Sequence, residues 1–288
     1  IGWCDWSSDV CSSDLPTLYG IHSEARAPSA ATLLDRQPLK FAKWLITGES
    51  FKTVRAKASG TVHFMPSDSS KKPGYMPVVV AGVPHYVPND AVEADAYRRP
   101  VRLKGGVANG ASVKAGEVLW SGVVISGDFV FVNRWKWNFA HPTRGEVMVF
   151  STTGIQALMQ GTHYIKRMTG LPNETLQVKA PHLLVNGEAV TRPLRIGQIA
   201  RKETVWPGHP AYAGFNPSGT RQVYLPGQSL AGESDRVTLK ADEYYAMGDN
   251  SFNSFDSRYW GPVPERNLLG PATVVYWPFT SPRFGWIR

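Results

Sequence analysis

Cysteine is nearly absent from this chain of 288 residues, and its two cysteines, Cys4 and Cys11, both lie among the first fifteen residues. The rest of the chain therefore has no material for a disulfide framework or for cysteine ligation of a metal. The seven histidines are scattered, and no two of them stand four residues apart. Because that spacing is typical of paired metal ligands on a helix, the sequence predicts no metal site.

A long apolar run is also lacking. No stretch of about 18 apolar residues occurs, so the sequence predicts no membrane-spanning helix within these residues. The formal net charge is +8, and a solvated basic surface explains it, since neither a basic run nor zinc-finger spacing indicates nucleic-acid binding. Ten tryptophans also suit a surface that faces anionic lipid headgroups. We therefore expect no nucleic-acid partner and keep a lipid surface as a candidate partner.

The sequence is rich in proline and glycine, which interrupt regular secondary structure. The 22 prolines and 27 glycines favour many short strands over long helices. The fold prediction is mainly β, with one short helix over residues 39–48 that ends at Gly48. An Asn-Gly pair at 186–187 between apolar runs indicates a hairpin. The predicted strands cover residues 53–64 (with a break at glycine 60), 77–81, 129–133, 146–150, 163–168, 183–190, 237–239, 244–247 and 273–277.

A glycine-rich stretch at residues 105–122 is predicted to form tight hairpins. It resembles half of a biotinyl- or lipoyl-type barrel, but it has no lysine in a Met-Lys-Met context to carry a cofactor. A phosphate cradle is the other interpretation, and it fails because no Gly-Lys-Ser/Thr follows. We expect no cofactor.

Residues 163–173 (HYIKRMTGLPN) carry the first candidate for chemistry. Alternation along a strand places Tyr164 and Lys166 on one face and Ile165 and Arg167 on the other. If one face is buried, one cation lies against the core, and burial disfavours the charged form of a lysine. Such a lysine can act as a general base near neutral pH. The alternative is an edge strand with both cations in water.

Residues 247–261 are dense in small hydrogen-bonding side chains and are bounded by Gly248 and Gly261. By pattern alone, this segment is either a well-capped structural loop or a site loop.

Together these stretches resemble the sequence boxes of bacterial type I signal peptidases. Residues 164–172 (YIKRMTGLP) are similar to the lysine box, and residues 248–264 (GDNSFNSFDSRYWGPVP) to the C-terminal box. Residues 127–133 (GDFVFVN) and 142–150 (PTRGEVMVF) resemble the segment between the serine and lysine boxes, and residues 16–18 (PTL) the end of the serine box. The boxes follow one another in the family's order, over residues 16–20 and 127–278.

The resemblance implies a β catalytic domain and an endopeptidase that removes signal peptides from exported preproteins. A serine would attack the scissile carbonyl, Lys166 would be the general base, kept neutral by burial, and water would hydrolyse the acyl-enzyme. Ser254 would hydrogen-bond the lysine. The supporting residues would be Gly248, Asp249, Asn250, Asp256 and Arg258, with Asp256 and Arg258 paired. The implied location is the cytoplasmic membrane, with the catalytic part on the extracytoplasmic side.

The chain departs from the family in its first fifteen residues. They resemble translated sequencing-adapter sequence, and we interpret residues 1–15 as a non-native scar. Ser13 stands in the register of the nucleophile, but Asp14 follows it where the family has Met. We therefore expect Ser13 to be a coincidental occupant of the nucleophile position, and the native serine to have been lost just upstream together with any membrane anchor. A carboxylate at position 14 near Lys166 would favour the ammonium and weaken the base.

A second departure is the long interval between the serine box and residue 127. Residues 16–20 and 127–288 are assigned to the catalytic domain, with 205–233 as a loop insertion, and residues 21–126 to an inserted β-rich module. That module is interpreted as structural embellishment or as a contact surface for a membrane or partner.

Two rival hypotheses remain. A self-cleaving Ser/Lys repressor would need an N-terminal helix-turn-helix, which the sequence lacks. A catalytically dead β-barrel binding module, or a pseudoenzyme that recognises preproteins, would keep the fold without the nucleophile.

Overall fold

A computed structural model describes residues 18, 20–65, 74–94, 99–206, 211–219, 228–252 and 254–287. The strands in this part of the chain are β1 His22–Ala25, β2 Glu49–Arg55, β3 Gly60–Phe64, β4 Tyr75–Val80, β5 Val83–Pro88, β6 Val92–Ala94, β7 Pro100–Leu103, β8 Ser112–Val113, β9 Val118–Ile125, β10 Phe129–Val132, β11 Val147–Ser151, β12 His163–Gly170, β13 Thr175–Lys179, β14 His182–Val185, β15 Glu188–Ala189, β16 Val237–Thr238, β17 Glu243–Met247, β18 Val263–Pro264, β19 Leu268–Trp277 and β20 Gly285–Trp286.

Helices are few and short. They are α1 Leu39–Thr47, α2 Lys136–Phe139, α3 Leu194–Ala200 and α4 Ser257–Trp260, with 3-10 turns at Pro28–Ala30, Leu33–Asp35, Asn89–Ala91 and Glu265–Asn267. The mainly β prediction is confirmed. Within the described ranges, no helix has the length and hydropathy needed to cross a bilayer.

A seven-stranded sheet forms the centre of the structure. Its order is β10-β19-β11-β12-β17-β18, and β20 pairs with β19. The predicted strands at 129–133, 146–150, 163–168, 244–247 and 273–277 correspond to five of these members, because their apolar runs pack on both faces. The sheet therefore joins segments that are far apart in sequence.

The residues before this sheet form smaller sheets of their own. Their orders are β1-β9-β2, β5-β4-β3-β8 and β6-β7. Val62, Val80, Leu103, Leu119 and Trp120 are fully buried in one apolar cluster beneath these strands. The described residues of 21–126 thus contribute an apolar cluster of their own beneath these small sheets.

Helix α1 confirms the predicted helix at 39–48. Gly48 caps its C-terminus in the left-handed conformation, at φ 71°. A Cβ at this glycine would lie 2.6 Å from Pro278 Cγ, so the close approach also requires glycine. Trp277 Nε1 donates to Leu45 O at 2.7 Å, and the Trp44 and Trp277 rings are 5.3 Å apart. The helix therefore docks on the end of β19.

A four-stranded sheet, β15-β14-β13-β16, extends between β12 and β17 in the sequence. The Asn-Gly hairpin is confirmed: Asn186 and Gly187 have φ of 52° and 90° between β14 and β15. Helix α3 was not predicted from the sequence, because Gly197 lowers its helix propensity. That glycine is needed for packing, since a Cβ there would lie 2.5 Å from Thr191 O.

Gly122, in the middle of β9, provides a test of the packing between β1 and β9. A Cβ at this position would lie 2.2 Å from Glu24 O and 2.8 Å from Trp120 Cζ2. We expect Gly122→Ala to lower the free energy of unfolding by about 1–3 kcal/mol, because a backbone carbonyl cannot move aside cheaply. Urea denaturation measures the change. Gly232→Ala is the matched control, since the nearest atom to its Cβ is 3.8 Å away. Equal effects of the two substitutions would contradict the packing explanation.

Candidate active site

The strand that carries Lys166 is an interior strand of the central sheet. On one side Lys166 is in register with Met148 of β11, and on the other Arg167 is in register with Met247 of β17. Lys166 is 1% exposed and Arg167 is 3% exposed. The alternative of an edge strand with both cations in water is therefore wrong. The local pattern could not reveal this, because β17 comes from a distant part of the chain.

The face that carries Lys166 is largely apolar. Because side chains alternate along a strand, Lys166 shares its face with Tyr164 and Met168. Both of these side chains belong to a buried cluster with Met148 and Trp260. The lysine is thus shielded from bulk water, and the groups within its reach are those of the protein.

Arg167 extends from the opposite face and is held by a buried carboxylate. Its Nε and Nη2 atoms donate to the two carboxylate oxygens of Asp249, at 2.6 and 2.7 Å, and its Nη1 donates to Gly145 O at 2.6 Å. Asp249 is 4% exposed. The carboxylate therefore binds the residue that follows Lys166 along the strand. This ion pair ties the start of the 248–261 loop to β12.

A second buried ion pair braces the far end of the same loop. Arg258 Nε and Nη2 each donate to an Asp256 carboxylate oxygen at 2.8 Å, and neither side chain is exposed. Asp256 also accepts from the backbone N–H of Gly248 at 2.9 Å, and it caps the N-terminus of α4. The loop therefore closes on itself, and Asp256 joins its two ends.

The electrostatics of this corner follow from its burial. Burial alone would lower the pKa of Arg258, but the Asp256 carboxylate outweighs it and raises that pKa above its ordinary value. Burial, assisted by the Asp256 charge, raises the pKa of the Tyr245 phenol well above its usual range. Asp256 and Arg258 thus remain a charged pair beside a neutral phenol.

Ser254 lies between the two ion pairs in the loop. The residue is 2% exposed, and its hydroxyl oxygen is buried with no hydrogen-bond partner among the described residues. Its backbone carbonyl accepts from Arg258 Nη2 at 3.2 Å. Buried hydroxyls are normally paired, so Ser254 is an exception to that rule. Asn250, by comparison, is only partly buried.

Ser13 lies outside the described residues, as do Asp14, Pro16 and Thr17. Leu18, at the end of the PTL stretch, is 5% exposed and belongs to a buried cluster with Val147, Val149 and Ile165. The chain just after the serine-box position therefore lies against β11 and β12.

Sequence reasoning assigned no part to two residues, one inside the loop and one that contacts it. Asn216, in the segment predicted to be a loop insertion, donates from Nδ2 to Ser251 Oγ at 2.9 Å. Ser251 stands in the C-terminal box but had no assigned part. An Asn-Pro pair at 216–217 indicates a turn, and nothing in the pattern predicts which surface that turn contacts.

A cavity of about 450 Å³ opens on the Arg167 side of β12. Its lining residues include Lys136, Arg144, Glu146, Arg195 and Trp286, and Lys166 is not one of them. No cluster of three His, Cys, Asp or Glu side chains suited to a metal ion occurs in the part of the chain that the structure describes.

Comparison with known proteins gives a consistent result. The family model described as "Signal peptidase, peptidase S26" matches residues 121–277. A signal peptidase I of Leptolyngbya laminosa is 33% identical over 156 residues, which cover 52% of this chain and 61% of that protein. A signal peptidase I of Pseudomonas aeruginosa is 30% identical over 181 residues, or 54% and 61% of the two chains. The crystal structure of an Enterococcus faecalis signal peptidase I, 21% identical, covers 46% of this chain and 98% of its own, at a TM-score of 0.30.

The matches have a definite extent. Each of the two sequence relatives is matched over about three fifths of its length. The family model includes the strand of Lys166 and the loop of Ser254, and it begins after residue 120, beyond the PTL stretch. Since that model covers more than half of the chain, with both candidate elements in their expected order, the chain belongs to the signal peptidase family, peptidase S26.

Proposed function

We propose that this chain is a serine endopeptidase that removes signal peptides from exported preproteins, with Lys166 as the general base. Its location would be the extracytoplasmic side of the cytoplasmic membrane. One observation carries the proposal: a lysine lies inside the central sheet, in an apolar setting, on the strand next to the loop that holds a buried serine hydroxyl. A lysine used only for solubility would have no reason to occupy an interior strand.

The chemistry follows from these groups. The nucleophilic hydroxyl oxygen bonds to the scissile carbonyl carbon while its proton passes to Lys166 Nζ. The tetrahedral adduct then breaks its C–N bond, Lys166 returns the proton to the departing amine, and the signal peptide remains as an ester on the serine. Water, deprotonated by the same lysine, hydrolyses the ester and regenerates both groups.

Ser254 is assigned to orient the lysine. Its hydroxyl is buried and its main chain is held by Arg258, so it can present an oxygen in a fixed direction. Gly248, Asp249, Asn250, Asp256 and Arg258 support that loop. Leu18 shares a buried cluster with Ile165 of β12. This supports a position for the serine upstream of Leu18 close to the strand that carries Lys166.

A lipid surface is the proposed second partner, because preproteins with signal peptides are held at membranes. The side chains of Phe41, Leu45 and Ile46 on α1 are 59%, 47% and 53% exposed. Helix α1 packs on the end of β19, and Phe279 and Phe284 just beyond that strand are 55% and 50% exposed. Exposed aromatic and aliphatic side chains on an amphipathic helix are typical of interfacial binding.

The proposed base can be removed without changing the size of the side chain greatly. We expect Lys166→Met to lower the rate of preprotein cleavage in detergent micelles by about 100-fold or more, since no other group would take the serine proton. Lys179→Met is the matched control, because Lys179 is exposed at the end of β13. Equal losses in the two variants, at unchanged thermal stability, would refute the assignment.

The identity of the nucleophile is decided at positions 13 and 14. We compare the parent chain with Ser13→Ala and Asp14→Met, and we expect Asp14→Met to cleave faster, because it removes a carboxylate that would favour the ammonium. Cleavage that disappears with Ser13→Ala identifies Ser13 as the nucleophile. If neither the parent nor Asp14→Met cleaves, although both are folded, the peptidase proposal is wrong for this chain and a preprotein-binding module is favoured.

The lipid contact is tested by sedimentation with vesicles that contain phosphatidylglycerol. We expect the double variant Phe41→Ser, Leu45→Ser to bind about tenfold more weakly than the parent, because apolar area no longer enters the interface. Leu194→Ser is the control, since this exposed leucine lies at the start of α3. Binding that is unaffected by the double variant would exclude α1 as the contact.

A further inference from the structure

The segment assigned to a loop insertion is built into the core. Tyr212, Phe215 and Leu230 are each 2% exposed or less, and they share a buried cluster with Tyr245 and Met247 of β17. These three side chains therefore belong to the same apolar core as the strand that leads into the Ser254 loop. A surface excursion would not bury three large apolar side chains.

One residue of this segment contacts the Ser254 loop through its side chain. Asn216 Nδ2 donates to Ser251 Oγ at 2.9 Å, and the Ser251 hydroxyl donates onward to Gly214 O. The same amide nitrogen lies 3.1 Å from the carbonyl oxygens of Ala213 and Gly214, which holds the turn in shape. Ser251 is 3% exposed, so no water replaces this hydrogen bond without rearrangement.

The backbone of the same residue contacts the loop through Arg258. Arg258 Nη1 donates to Asn216 O at 2.6 Å, while Nη2 donates to Ser254 O at 3.2 Å. The guanidinium is planar and rigid, so it holds the two carbonyls at a fixed separation. Tyr259 OH donates to Ser218 O at 3.3 Å and adds a further link. The turn at residues 213–218 and the Ser254 backbone are thus connected through one side chain.

We propose that Asn216 is a positioning residue for Ser254. It holds the loop at Ser251 with its side chain and at Ser254 with its carbonyl, through Arg258. This inference deepens the proposed function and rests on the proposed part of Ser254 there. The hydroxyl of Ser254 has no hydrogen-bond partner among the described residues, so its direction depends on how firmly its backbone is held.

The first test is amide hydrogen exchange, which needs no activity. We compare the parent with Asn216→Ala and expect exchange in peptides covering 248–261 to be at least about threefold faster in the variant, because the loop opens more often. Asn109→Ala is the matched control: its Oδ1 accepts from Phe64 N at 3.1 Å, away from the loop. Unchanged exchange at 248–261, or the same rise in the control, would overturn the inference.

The second test is kinetic. We expect Asn216→Ala to lower kcat for preprotein cleavage about tenfold with KM unchanged, since substrate binding does not need Ser254 to be aligned but proton transfer does. Ser251→Ala removes the same hydrogen bond from the other partner, and the double variant should be no slower than the slower single variant. If Asn216→Ala proves unstable, the kcat of Ser251→Ala provides the same test. A kcat within about twofold of the parent overturns the inference, because the loss of a positioning contact must lower the rate of the chemical step.

The exchange and kinetic experiments together distinguish a failure of the proposed function from a failure of the Asn216 assignment. If neither the parent nor Asp14→Met cleaves a preprotein, the proposed function is refuted, and the exchange experiment still decides whether Asn216 holds the loop. A parent that cleaves, beside an Asn216→Ala variant with unchanged exchange and unchanged kcat, refutes the positioning assignment alone.

Discussion

The buried ion pair of Asp256 and Arg258 is the interaction on which the candidate site depends. Neither side chain touches solvent, so each charge is compensated only by protein groups. A buried charge that loses its partner costs about 3–5 kcal/mol, so the pair exists as a unit or not at all. Its donors and acceptors reach Gly248, Ser254 and Asn216. The loop, the helix that follows it and the inserted segment therefore share one electrostatic anchor.

The second constraint is the position of β12 between two strands. One neighbour, β11, comes shortly before it, and the other, β17, comes after an entire additional sheet with its helix. Asp249 extends this arrangement, because it binds Arg167 across the sheet and fixes the loop where β17 ends. One ion pair therefore ties the start of the Ser254 loop to β12, and the other closes the loop beyond Ser254.

Much of this could be predicted from the sequence, and the reasons for the rest are physical. The apolar strands, the Gly48 stop of α1 and the Asn186 hairpin are local signals, and each gave the right element. The order of the lysine and C-terminal boxes indicated the family. The pattern left open whether Lys166 was buried, because that depends on a strand pairing from far along the chain. It also gave no sign that Asn216 reaches Ser251, since a turn sequence fixes its own shape and leaves its contacts undetermined.

The long separation in sequence between β12 and β17 has a consequence for the folding of the central sheet. Pairing of β12 with β17 requires closure of a much larger loop than pairing with β11, so its cost in chain entropy is higher. Without β17, β12 would be an edge strand, and the Arg167–Asp249 ion pair that ties the loop to it could not form. Burial of Lys166 and closure of the 248–261 loop therefore both depend on one long-range strand pairing, so a change that weakens this pairing disturbs both features together.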